Sequence, residues 1–240
     1  MESSALAQIW NTLTQVHPTP ELVTIIATAL AAVAVIAVST AWRWARNVIT
    51  IVHEGGHAFV AVLTGRRLHG VRLHADTSGL TYTAGDRRGF SAFATLFAGY
   101  IAPAALGLLS AWLISMGYVV LLLWLNLVLL AALALFIRNA YGMAATAVTG
   151  VVIFAVAWWA NGDMQSIVVY AGTWFLLIGA VRPVWETWVH RRRGQRQSDP
   201  DQLAHITGVP AIVWLIVFAM LNVSALVLGI QLLTPQLWQL

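Results

Sequence analysis

Cysteine and lysine are both missing from this 240-residue chain, and charge of either sign is scarce. Without cysteine, the chain can form neither a disulfide framework nor a thiolate nucleophile. Charged residues make up 9% of the sequence, whereas a soluble domain of this size carries about 25%. Together with 60% hydrophobic residues, this composition predicts a membrane protein with little soluble mass on either side.

Long apolar runs dominate what is present. A helix needs about 20 apolar residues to cross a bilayer, and seven segments qualify, which predicts an all-α polytopic membrane protein. A polar stretch at 65–89 alternates apolar and polar residues around Asp-Thr-Ser-Gly and predicts a short β-hairpin. A second, basic stretch at 186–206 predicts a cytosolic loop. The candidate spans are 21–42, 47–64, 90–116, 118–137, 141–160, 165–185 and 207–233.

The first 20 residues differ from the rest. Leu6, Ile9, Trp10 and Leu13 share one helical face before a Pro-containing break, which predicts a short helix lying at the membrane interface. We expect residues 21–240 to form a single transmembrane domain.

The 13 basic residues are all arginine, and in so apolar a chain we expect them to set membrane topology and not to bind nucleic acid. With seven crossings and a cytosolic N-terminus, only Arg43 and Arg46 would lie outside. The positive-inside rule therefore predicts a multi-pass protein of the cell membrane, with its N-terminus in the cytosol and its C-terminus outside.

The segment "VHEGGHAF" at 52–59 places ionisable groups inside an apolar span, where they are costly unless they have a function. On a helix, His53 and His57 share a face and can direct a ring nitrogen of each to one point, while Glu54 lies beside them. This HEXXH pattern supplies two zinc ligands and a general base for peptide hydrolysis. The sequence therefore predicts a Zn²⁺ site with Glu54 as the catalytic residue.

A catalytic zinc site takes a third protein ligand. The acids in the predicted hairpin fit turn positions, and Glu2 and Glu21 lie in or beside the N-terminal segment. Asp163 falls in an outer loop, and Glu186 fits an ion pair with nearby arginines. Asp199 and Asp201 precede the last span and enter from the same side as the motif. We favour Asp201, one turn into that helix, and keep Asp199 as the alternative, since Ser198 or Asp199 fits the N-cap position. His205 is a weaker candidate.

The motif and four further segments resemble the site-2 protease family of intramembrane zinc metalloproteases, in particular its compact bacterial branch without a PDZ domain. The segments are "HEGGHAFVAVLTGRRL" (53–68), "DTSGLTY" (76–82), "AGYIAPAALG" (98–107), "RNAYG" (138–142) and "SDPDQLAHITGVPA" (198–211). They cover much of the chain, although only the first is specific on its own.

The resemblance implies a bacterial inner-membrane enzyme whose zinc is held by two histidines and an aspartate, with a glutamate base and a hairpin beside the site. It also suggests that Asn139 binds the substrate backbone, although Asn139 could instead cap the next helix. The sequence departs from the family at the third ligand, because the usual Asp-Gly motif in a later span is absent.

The leading hypothesis is an intramembrane zinc metalloprotease that hydrolyses a peptide bond of a membrane-embedded protein substrate. One alternative is a catalytically inactive metal-binding membrane scaffold. A divalent-metal transporter ranks last, because a transport path needs a series of intramembrane ligands and this chain offers one cluster. The substrate, its cleavage site and the oligomeric state stay open.

Overall fold

The computed structural model describes residues 5–86 and 88–238. Within them the chain forms ten α-helices and one pair of antiparallel strands. The helices are α1 (Ala5–Leu13), α2 (Leu22–Ala37), α3 (Ser39–Leu63), α4 (Phe90–Ser115), α5 (Val119–Ala134), α6 (Ala140–Trp159), α7 (Gly162–Gly179), α8 (Val181–Arg192), α9 (Asp199–Thr207) and α10 (Ala211–Leu233), and the strands are β1 (Arg67–Leu73) and β2 (Gly79–Ala84).

The prediction of an all-α membrane protein with one hairpin is confirmed, but seven spans is too high a count. Among the described helices, α4, α6, the continuous pair α7–α8, and α10 are each long and apolar enough to cross a membrane. The helices α2 and α3 meet that condition only as one pair, bent by 103°. The two predicted spans at 21–42 and 47–64 therefore belong to one bent unit. At 16 residues, α5 is shorter than the others.

Two ends of the helical bundle can be distinguished by their contacts. At one end, the His17 amide donates to the Gly117 carbonyl at 2.9 Å, and the Gln236 side chain donates to the Pro20 carbonyl at 3.4 Å. The hairpin lies at the other end, where β1 contacts the segment after α5. Residues 20 and 236 thus share one end, whereas the predicted odd number of crossings would separate them.

A helix, α1, lies inside the predicted segment 1–20. The apolar face predicted there includes Leu6 and Ile9, whose side chains lie outside the described set, as do residues 1–4 altogether. Its position at the membrane interface stays a prediction.

The predicted hairpin is present, with β1 and β2 paired from Arg67 opposite Ala84 to Leu73 opposite Gly79. The second edge of β1 is also occupied, because Val71 donates to Phe136 at 2.8 Å and accepts from Arg138 at 2.9 Å.

At the hairpin tip, Asp76 accepts from the Ser78 hydroxyl at 2.6 Å and from the Ser78 amide at 3.0 Å. These two hydrogen bonds hold the pKa of the Asp76 carboxyl below its usual value. The tip docks on α3, where the Thr50 hydroxyl donates to the Thr77 carbonyl at 2.9 Å. The hairpin is therefore anchored to the helix that carries the HEGGH motif.

Small residues let α3 and α4 approach closely. A side chain at Gly56 would overlap that of Ala102 and would lie 3.1 Å from the carbonyl oxygen of Ala98. Such contacts between small residues are how helices pack tightly within membranes. The close approach brings the motif against α4.

The polar stretch 186–206, predicted as a loop, is largely helical. The helix α8 continues to Arg192, and α9 begins at Asp199. Ser198 is the N-cap of α9, and Asp201 folds back to complete a capping box with it. The helix ends at Gly208, whose φ of 74° is a left-handed conformation that glycine adopts without strain. The separate helix α9 means that the last span begins at Ala211 and not at residue 207.

Candidate metal centre

Three side chains converge where α3, α4 and α9 meet. The Nε2 atoms of His53 and His57 are 3.0 Å apart, and each lies 3.1 Å from Oδ2 of Asp199. Within residues 5–86 and 88–238, these three form the one group of metal-ligating side chains close enough to share an ion. His57 is buried, and His53 and Asp199 are partly buried.

The orientation of each histidine is set by a neighbour on α4. The Nδ1–H of His57 donates to the carbonyl of Thr95 at 2.6 Å, which leaves Nε2 to face the cluster. A carbonyl on the second ring nitrogen is the usual partner of a metal-ligating histidine. His53 packs against the Tyr100 ring edge to face, with ring centroids 5.0 Å apart.

The residues fit a zinc ion. Ligand atoms held at about 2.0–2.1 Å from one tetrahedral ion lie about 3.4 Å apart, close to the observed spacing of 3.0–3.1 Å. Two imidazoles and a carboxylate are also a donor set that zinc accepts. Gly99 on α4 leaves the space in front of the rings open, because a Cβ there would overlap His57 and His53.

Glu54 lies beside the cluster but outside it. Its side chain is buried, and Oε2 accepts a hydrogen bond of 2.5 Å from the hydroxyl of Thr81 on β2. His53, Glu54, His57 and Asp199 all line one cleft of about 770 Å³, bounded by α3, α4, β2 and α9. A carboxylate that is not a ligand but faces the same cleft is placed to hold or move a proton there.

The structure places Asp199, and not Asp201, beside the two histidines. Asp201 is buried, accepts from the Ser198 hydroxyl at 2.6 Å and forms an ion pair with Arg191 of α8. It therefore points to the α9 N-cap and α8, while Asp199 faces the histidines. The physical reason is the capping box, since the third residue of the helix turns its carboxylate back to the N-cap. His205 is exposed and lines the cleft without joining the cluster.

Asn139 lies away from the cleft. Its side-chain amide donates to the Leu73 carbonyl at 2.6 Å and its oxygen accepts from the Leu73 amide at 3.2 Å. The side chain thus extends the contact between β1 and residues 136–138. Asn139 also stands at the N-cap position of α6, where its side chain makes no hydrogen bond to the helix. Both hydrogen bonds direct the amide to β1 and not to the cleft.

Four residues at the site were not singled out by the sequence. Thr81, Thr95, Gly99 and Tyr100 touch the motif from β2 and α4. Their signal is weak, because a hydroxyl, a backbone carbonyl, a missing Cβ and one aromatic ring have no spacing that marks them. Three of them, Thr81, Gly99 and Tyr100, do lie in segments of the family resemblance.

The chain is thus a helical membrane protein with a His–His–Asp cluster inside its bundle beside a buried glutamate. The model of the Peptidase M50B-like family matches residues 26–229, so the chain belongs to that family of metallopeptidases. This confirms the resemblance to the site-2 protease family. Neither the curated proteins nor the solved structures contain a match to the chain.

Proposed function

We propose that this chain is an intramembrane zinc metalloprotease in which His53, His57 and Asp199 hold one zinc ion and Glu54 is the general base. The observation that carries the proposal is the convergence of three donor atoms from α3 and α9 beside a buried carboxylate. Family membership supports peptidase chemistry independently of that geometry.

When bound, zinc supplies a Lewis acid that polarises the scissile carbonyl and makes water a better nucleophile. Glu54 takes a proton from the attacking water and delivers it to the leaving amine. His57 keeps one tautomer, because its Nδ1–H is committed to the Thr95 carbonyl. Glu54 and His57 are buried, and their low-dielectric surroundings strengthen each of these electrostatic interactions.

The substrate class follows from the position of the cleft within a membrane bundle. A transmembrane substrate must unwind locally, because a helical backbone hides its carbonyls from attack. The strand β2 offers a partner for the unwound segment. Val71 directs its backbone groups away from β2, so Thr81, opposite it in the register, directs its own to the open edge. A substrate strand pairing there lies along the cleft.

The contacts at the bundle ends support a revised topology. We propose that the hairpin and the segment after α8 face the cytosol, whereas residues 20 and 236 face outside. The hairpin end carries most arginines of the chain, and residues 14–21 and 234–238 contain none, as the positive-inside rule requires. This topology keeps the C-terminal side outside, as the sequence analysis predicted. It differs on the N-terminal side, which was predicted in the cytosol and is now proposed to lie outside.

Because the chain has no cysteine, single cysteines can test this topology cleanly. In intact spheroplasts of an expressing bacterium, Thr19→Cys and Gln236→Cys should react with a membrane-impermeant maleimide, and Gln195→Cys should react only after lysis. All three positions are exposed. Labelling of only one of the first two in intact spheroplasts would restore an odd number of crossings.

The protease assignment is tested by Glu54→Gln in liposomes. The assay uses a panel of quenched fluorescent transmembrane peptides, and the best-cleaved member becomes the standard substrate. We expect the variant to keep its zinc and lose at least about 1,000-fold in kcat. Undiminished cleavage by Glu54→Gln would overturn the proposal. A zinc-loaded parent that cleaves no peptide would favour the inactive scaffold instead.

A further inference from the structure

Thr81 has contacts in two directions. Its hydroxyl donates to Oε2 of Glu54 at 2.5 Å, and its backbone amide and carbonyl face the open edge of β2. Within the described residues, no backbone hydrogen bond to another element occupies that edge at Thr81. The same residue therefore contacts the carboxylate and the surface where a substrate strand would pair.

Gly79 provides a second, independent sign that β2 is fitted to Glu54. A Cβ at this position would overlap the carboxylate and Cγ of Glu54. The strand thus approaches the glutamate as closely as a backbone can, with a glycine at one position and a hydrogen-bonding hydroxyl two residues later. Because side chains alternate along a strand, Gly79 and Thr81 present the same face to α3.

We propose that Thr81 is a positioning residue for Glu54 and couples pairing of the substrate at the β2 edge to the orientation of the base. This inference rests on the proposed protease function. A hydrogen bond from a fixed hydroxyl restricts the carboxylate to one orientation, and catalysis is sensitive to such placement. A substrate strand paired with Thr81 is then held at a fixed distance from the carboxylate of Glu54, the proposed general base.

The test compares two replacements of Thr81 in the full-length, zinc-loaded protein with the standard peptide. Thr81→Val keeps the shape and removes the hydroxyl, and Thr81→Ser keeps the hydroxyl. We expect Thr81→Val to lower kcat by about tenfold or more, with KM changed less than about twofold and zinc content unchanged. Thr81→Ser should recover most of the loss.

Thr149→Val is the matched control, because within the described residues the Thr149 hydroxyl bonds only the Ala145 carbonyl of its own helix. It should leave kcat and KM within about twofold of the parent. Peptide binding to the Glu54→Gln protein should also change less than about twofold when Thr81→Val is added. A structural role in holding the hairpin would instead weaken that binding.

Two results would overturn the inference. One is that Thr81→Val leaves both kcat and KM unchanged. The other is that Thr81→Val raises KM and leaves kcat unchanged, which would make Thr81 a substrate-binding residue only. Its failure can be separated from failure of the protease proposal. An inactive Glu54→Gln with a fully active Thr81→Val removes the positioning role alone, whereas an active Glu54→Gln removes both.

Discussion

The two helices that supply the candidate ligands reach their geometry in different ways. In α3, His53 and His57 converge because residues four apart share a face of any helix. In α9, Asp199 reaches the cluster because the helix is held from outside, by the buried Leu203 and by the ion pair between Asp201 and Arg191 of α8. The first arrangement is local and the second is tertiary.

This difference explains why the sequence points to the two histidines but does not decide which aspartate lies beside them. The HEXXH spacing is sufficient to identify His53, Glu54 and His57 as candidates. Choosing between Asp199 and Asp201 requires knowing which of the two carboxylates caps the N-terminus of α9. The pattern Ser198-x-x-Asp201 does contain that information, since an acid at the third helical position can complete a capping box.

The largest effect on zinc affinity is expected where the two histidines of α3 contact α4. Gly99→Ala places a methyl group against His57 and His53, so we expect zinc affinity to fall about 100-fold and peptide cleavage to be lost. Gly150→Ala is the matched control, because nothing lies within 4 Å of a Cβ added there. Equal zinc affinity of the two variants, measured by competition with a chelator, would contradict the described packing of α3 on α4.

A smaller effect on zinc affinity is expected at the start of α9, which carries Asp199. Arg191→Gln removes the partner of Asp201, so α9 is held less firmly and zinc affinity should fall about tenfold, as for other residues that orient a ligand. Arg193→Gln removes an equal charge from an exposed position close by and should leave zinc affinity unchanged. Equal affinities for both variants would mean that α9 does not need the ion pair.

The smallest effect is expected at Asp76, an acid that both the turn pattern and the structure place outside the cluster. Asp76→Ala should leave zinc content unchanged and lower the unfolding midpoint by about 1 °C. Since the folded hairpin lowers the pKa of Asp76, its stabilisation is present above the pKa of the unfolded chain. It is lost as pH falls through the folded-state pKa.

Thermal unfolding of Asp76→Ala and the parent at neutral pH and at a pH well below the ordinary aspartate pKa of about 3.9 measures this. The two midpoints should converge in acid. A variant that loses zinc would return Asp76 to the set of candidate ligands, and a midpoint difference that grows in acid would contradict the direction of the pKa shift.

The same contrast between local and tertiary information applies to the whole fold. Run length and alternation predicted the membrane helices and the hairpin, because both depend on neighbouring residues. The bend between α2 and α3 was missed. Beside it, Glu186 of α8 accepts from the Trp42 indole at 2.9 Å and pairs with Arg46 and Arg182. Contacts over such separations leave no periodic mark in the sequence.

The proposal that His53, His57 and Asp199 hold one zinc ion is tested most directly by the metal content of three purified proteins. The parent should contain about one zinc per chain. Asp199→Ala should lose it after dialysis against a weak chelator, whereas Asp201→Ala should keep most of it. Full zinc in Asp199→Ala together with loss from Asp201→Ala would contradict the account and return the third ligand to Asp201.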